Sequence, residues 1–158
     1  MFVNPFGFDC FHVKCPCRDE LNEEILLEIT HEKNLTNIVE LNLACCNLHS
    51  IKFLSNLKNL RSMNLAFNEL VKLDELCYFY SLESIDLSYN KLVTFDGMKG
   101  LTKLIYLIAT NNFLKKSLDE VLTVKRYCPN IKHLDLRANP FDKVRYCESF
   151  RQHSLVLP

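Results

Sequence analysis

Four soft metal ligands crowd one short stretch: Cys10, His12, Cys15 and Cys17. Thiolates and an imidazole are the donors of a tetrahedral zinc site. The spacing here is C-x-H-x-x-C-x-C, without the paired C-x-x-C that lets two thiolates share one turn, so the segment reads as a cysteine-rich edge with no metal. Nucleophilic catalysis needs a Ser or Cys beside a His and an orienting acid. His49, His133 and His153 fall in separate stretches, and neither G-x-S-x-G nor H-E-x-x-H is present. With 3 glycines in 158 residues, no phosphate-cradling loop is present either. Asp86 and Asp135 share a face in the layout derived below, but two strands apart they stand about 10 Å from one another. That is far for a hydrolase pair and suits contacts to a partner. The expectation is a protein that is not an enzyme, with no cofactor and no small-molecule substrate. Asn34-Leu35-Thr36 has the form of a glycosylation sequon, idle without an export signal.

What positions these residues is a repeat. The pattern L-x-x-L-x-L-x-x-N-x-L recurs at Ile38, Leu60, Leu82, Leu104 and Ile131. The first three steps are 22 residues each and the last is 27. Equal steps with matched positions are the mark of a leucine-rich repeat solenoid. The Leu positions of each frame point inward and the residues between them face the concave side, by the two-residue alternation of a strand. The pattern predicts five parallel strands near 39–43, 61–65, 83–87, 105–109 and 132–136. The ninth position feeds hydrogen bonds to a turning backbone, which an amide does with both its carbonyl and its NH₂. The ladder is Asn68, Asn90, Asn112 and Asn139, with Cys46 on the first rung. Beyond each Asn, apolar residues continue at three-residue spacing (Ile51, Leu54, Leu57; Leu73, Leu76, Phe79; Phe95, Met98, Leu101). That suits a 3₁₀-like convex side. The longer last step carries Leu118, Val121 and Leu122 at helical spacing before Pro129, predicting one convex helix over 117–127. Ala109 is the weak core position, with Phe113 or Leu87 expected to fill the gap.

This 22-residue form resembles the SDS22-like family of leucine-rich repeat proteins, which includes a phosphatase-1 regulator, an axonemal dynein light chain and a U2 ribonucleoprotein component. Over residues 20–153, the stretches IVELNLACCNLHSI, LRSMNLAFNEL, LVTFDGMKGLTKL and NFLKKS are also similar to an internal repeat block of the leucine-rich repeat-containing protein 9 family. The resemblance implies scaffolding or regulatory work, in a setting that includes the cilium. It equally implies a repeat block stacked within a larger ciliary or axonemal protein, or a ribonucleoprotein assembly factor. Asn139-Pro140, Tyr146 and Phe150 resemble the start of that family's C-terminal cap, which here reads as partial.

The organisation that follows is an extension over 1–18, a capping helix within 19–37, five repeats over 38–141 and a partial cap over 142–158. The capping segment RDELNEEILLEITHEKN has acids crowding its first turns, His31 and Lys33 at its end, and a stripe of Leu21, Ile25, Leu26 and Ile29. Lys+Arg and Asp+Glu are both 19. That balance disfavours nucleic acid as a partner, which calls for a surplus of cations. Acids gather over 19–40 and bases over 115–145, so the two ends differ in sign. No run of about 18 apolar residues is present, so no membrane span is expected. The N-terminus lacks the basic and apolar regions of a signal peptide, so the expected setting is cytoplasmic, with cilium or nucleus open. The 8 cysteines are then expected as reduced thiols.

The expected site is a protein-binding surface on the concave sheet. Tyr106 and Ile108 lie together on one strand, Phe67 and Tyr89 lie at the rim just before the ladder Asn, and Asn64, Asp86 and Asp135 supply polar contacts. Aromatics and a large aliphatic on an otherwise polar sheet are the usual makings of a binding hot spot.

Overall fold

The computed structural model describes residues 21–115, 117–141 and 155–156. Five three-residue strands run parallel in register: β1 (Glu40–Asn42), β2 (Ser62–Asn64), β3 (Ser84–Asp86), β4 (Tyr106–Ile108) and β5 (His133–Asp135). Each lies inside its predicted window. The register places Leu41, Met63, Ile85, Leu107 and Leu134 side by side as one inward row. Every residue of that row is buried in a single continuous core. A sixth strand, β6 (Leu155–Val156), pairs antiparallel with β5 and covers its outer edge. The repeat pattern does not announce it, because it lies beyond the last repeat and runs the other way.

The convex side is built from short 3₁₀ turns at Lys52–Asn56, Asp74–Tyr78 and Asp96–Met98. Their inward residues, Leu54, Leu76 and Met98, are fully buried. The three-residue spacing read in the sequence is the period of this turn. Successive turns stack closely. A Cβ added at Gly97 would stand 2.2 Å from the carbonyl carbon of Leu73, so only glycine lets the two backbones approach.

The fourth step, longer by five residues, holds the 11-residue helix α2 (Ser117–Tyr127), with Asp119 and Glu120 in its first turn and Lys125 and Arg126 in its last. Both charge placements favour the helix dipole. At the other end, α1 (Glu23–Thr30) is capped by Asn22, whose Oδ1 accepts from Ile25 N at 3.0 Å. It ends on His31 at φ 56°. Its Leu26 is buried and Leu21, Ile25 and Ile29 are partly buried against the core. The expected filler of the Ala109 gap needs correction: Phe113 is 53% exposed and turns away, while Leu87 is fully buried in the same cluster as Ala109.

Candidate functional site

The ladder amides bind their own repeat to the one before. Asn68 Oδ1 accepts from Cys46 N at 3.1 Å and Leu48 N at 2.9 Å. Its Nδ2 donates to Leu43 O at 2.8 Å and Leu65 O at 2.9 Å. Asn90 repeats this with Leu70 N, Leu65 O and Leu87 O. Asn112 uses Leu92 N, Leu87 O and Ala109 O. Asn139 uses Leu114 N, Ala109 O and Leu136 O. An amide can do this because it accepts and donates at once. The first rung has no strand before it among the described residues, and there Cys46 Sγ stands 3.5 Å from Ala44 O, the carbonyl equivalent to the Ala66 O that Asn68 Nδ2 reaches.

Cys46 departs from the reading of reduced thiols: it is disulfide-bonded. Among the described cysteines Cys45, Cys77 and Cys128 are not in disulfides. The Cys10, His12, Cys15 and Cys17 group and His153 lie outside the described residues. Among the described residues no three or more His, Cys, Asp or Glu side chains gather as metal ligands. No helix there is long and apolar enough to cross a membrane.

The residue before each ladder position adopts the left-handed conformation in every repeat: Cys45, Phe67, Tyr89, Asn111 and Ala138, at φ 54–61°. This twist turns the ladder side chain inward and throws its predecessor outward. Phe67 and Tyr89 are therefore 44% and 48% exposed. Their rings stack, with centroids 4.1 Å apart and planes 9° from parallel. Left-handed backbone costs an L-residue roughly 1–2 kcal/mol, so two bulky aromatics here are unusual.

A second ring stack stands at the opposite end of the strands. Tyr106 on β4 and His133 on β5 are register partners, with centroids 4.4 Å apart and planes 2° from parallel. Both are half-buried. Tyr89 N bonds Thr110 O, four residues beyond Tyr106. Tyr89 is five residues past Ser84, the register partner of Tyr106, so at about 3.3 Å per residue and about 4.8 Å per strand the two stacks lie about 19 Å apart on a diagonal.

Between them the expected contact residues form a floor rather than a protruding surface. Asn64, Asp86, Ile108 and Asp135 occupy equivalent positions in β2–β5. All are buried, Asp86 at 7%, Ile108 at 8% and Asp135 at 1% exposure. No slip of register is involved, since Ile108 pairs with Asp86 and Asp135. The three polar members share a local task that the sequence reading missed. Each side-chain oxygen accepts the backbone N–H two residues on: Asn64 from Ala66 at 3.0 Å, Asp86 from Ser88 at 2.9 Å, Asp135 from Arg137 at 3.1 Å. Asn42 does the same with Ala44. The signal was present as Asn, Asn and Asp at 22-residue spacing, the Asx-turn residues.

The two acids differ in their counter-charge. Asp135 holds Arg137 in a fork, with Nε at 2.9 and 3.1 Å from its two oxygens, and this bonding raises the guanidinium pKa further. Asp86 makes none of the ion pairs found among the described residues. Burial pushes its carboxyl above the usual carboxylate range, against the pull of Ser88 hydrogen bonds, and the Asp135 charge adds to the rise. Arg137, two residues past Asp135, is the charge partner that sequence reasoning omitted.

An open groove of about 340 Å³ lies away from this sheet, lined by Val93, Thr94, Asp96, Phe113, Lys115 and Glu120. Glu120 is buried and its Oε2 accepts from Phe95 N at 2.8 Å. Burial raises its pKa. The carboxylate thus anchors α2 to the preceding convex turn.

No protein-family model matches the chain, and no curated protein matches it in sequence. Its backbone is similar to internalin C2 of Listeria monocytogenes, with TM-score 0.59 and 19% identity over 82% of this chain and 52% of that one. It is also similar to internalin F of the same organism, with TM-score 0.56 and 18% identity over 74% of this chain and 40% of that one. The fold is a leucine-rich repeat solenoid. The chain spans about half, or less, of the length of these two solenoids. Identity at this level speaks to architecture only.

Proposed function

We propose that this leucine-rich repeat chain is a non-enzymatic protein-interaction module that binds a partner protein on its concave sheet. The observation that carries the reading is Phe67 and Tyr89, two stacked aromatics exposed on left-handed backbone. Folding alone favours a smaller residue there. A surface that keeps large rings where they cost stability supports a role in contact. The rigid sheet beneath them adds to that support, because a preorganised surface loses little entropy on binding. The resemblance to the SDS22-like family is consistent with regulatory or scaffolding work.

The test is affinity capture with quantitative mass spectrometry, comparing the native chain with a Phe67→Asn, Tyr106→Ala double variant. The reading expects a defined set of proteins to be lost from the variant while its melting temperature stays close to native. Equal capture by both chains would show that the concave sheet is not the binding surface. The second reading, a block stacked within a longer solenoid, draws on one feature: β1 has no strand on its outer side among the described residues. At the other end β6 occupies the edge that onward stacking would need.

A further inference from the structure

Among the described residues the concave floor carries a charge outside any ion pair, in a place where the fold does not require one. Asn42 and Asn64 hold the turns of the first two repeats with an amide oxygen, at 3.1 and 3.0 Å from the backbone N–H they accept. Asp86 does the same task with a carboxylate. An amide of the same shape avoids the desolvation of a buried charge. Asp135 has the same cost, but Arg137 offsets it by a forked pair. Asp86 is next to Ile108 on one side and Asn64 on the other, and neither offers a cation.

The position of Asp86 relative to the two stacks is specific. One stack bridges the second and third repeats at the far ends of their strands, and the other bridges β4 and β5 at their near ends. The midpoint of the diagonal that joins them falls between Asp86 and Ile108. That diagonal of about 19 Å is the reach of about six residues of extended chain. Flat aromatic pairs receive apolar or planar side chains, and a buried lone carboxylate receives a cation.

We propose that the concave sheet takes an extended partner segment whose lysine or arginine lies over Asp86, between two apolar side chains resting on the Phe67–Tyr89 and Tyr106–His133 stacks. This rests on the concave-face reading above and adds the chemistry of the partner: linear, basic at its centre, apolar on both sides. The counter-charge that Asp86 lacks among the described residues is then supplied by the partner. Arg137, already held by Asp135, stays out of the way as a neighbouring positive group rather than competing for Asp86.

The test uses the full chain and a displayed library of random linear peptides as the probe. Selection should enrich sequences with a Lys or Arg flanked on both sides by aromatic or aliphatic residues. A synthetic peptide of the winning sequence should lose affinity by about tenfold or more when its cation is replaced by norleucine, and by a similar factor on Asp86→Asn. Asp86→Asn keeps the acceptor for Ser88 N, and its thermal melt shows that the fold is intact. Phe67→Asn and Tyr106→Ala should each weaken the same peptide. Selected peptides that ignore Asp86→Asn yet respond to Phe67→Asn and Tyr106→Ala would overturn the basic-centre inference and leave the concave reading standing. Peptides indifferent to all three substitutions would sink both. A library that yields no binder, or only acidic ones, overturns the inference alone, since the capture experiment judges the concave reading separately.

Discussion

Asp86 and Asn64 are register partners on adjacent strands and accept the same backbone N–H, two residues on, one through a carboxylate and the other through an amide. The same geometry with and without a charge makes the pair an internal control for what the charge does.

Asp86→Asn is expected to raise the melting temperature by a few degrees at neutral pH. The sign follows from the raised carboxyl pKa. The folded state takes up the proton more readily than the unfolded chain, so the cost of the charge is fully present above the folded pKa. It lifts as pH falls through the folded pKa and is gone below the unfolded value of about 3.9. The difference between variant and native melts should therefore shrink towards zero as the pH approaches 4. A constant difference across that range would contradict the assignment to the charge.

Asn90→Ala should cost about 1–3 kcal/mol, read from the shift of the urea midpoint, because Leu70 N, Leu65 O and Leu87 O lose buried partners together. Asn90→Asp should rescue nothing at neutral pH. It keeps the acceptor for Leu70 N but supplies no donor for the two carbonyls and adds a charge. Rescue by Asp would mean that the acceptor alone matters.

Phe67→Asn separates stability from contact. Asn tolerates left-handed backbone well and recovers part of the roughly 1–2 kcal/mol conformational cost. Loss of the stack with Tyr89 costs about 0.5–1.5 kcal/mol. The two nearly cancel, so the expected change is within about 0.5 kcal/mol. A loss well beyond that in equilibrium unfolding would make Phe67 a structural residue first.

Thiol labelling of the native chain should proceed in a fixed order. Exposed Cys45 reacts first and half-buried Cys77 more slowly. Cys128 resists until unfolding, because it is buried and its pKa is pushed up to about 12. Cys46 is labelled only after reduction and unfolding, as a disulfide sulfur in the core. Peptide mapping with differential alkylation distinguishes this from the all-reduced state that the sequence suggested. Labelling of Cys46 in unfolded but unreduced protein would favour the reduced reading.

Much of the architecture was legible because a repeat turns one local pattern into a global one. Ile85 has to point inward because Leu41, Met63, Leu107 and Leu134 occupy the same place in their own periods, and parallel strands in register leave no freedom to do otherwise. The ladder of Asn68, Asn90, Asn112 and Asn139 was legible for the same reason, and so was α2, whose extra residues had nowhere to go but the convex side.

Depth was not legible. Alternation says which face a side chain takes, and Asp86, Ile108 and Asp135 do take the concave face. It does not say how far the neighbouring strands and loops close over them, and in three-residue strands that closure buries the centre. Nor does composition show that, among the described residues, Asp135 is matched by Arg137 while Asp86 is not, since that depends on side-chain reach across a turn. The sequence alone thus determined the order of repeats, the inward row and the ladder, because each is a local period repeated. Only the tertiary structure decided the two ring stacks, the covering strand β6, the Cys46 disulfide and, among the described residues, the unmatched charge of Asp86. Each of these joins residues that are far apart in the chain or outside its period, and only packing brings them together.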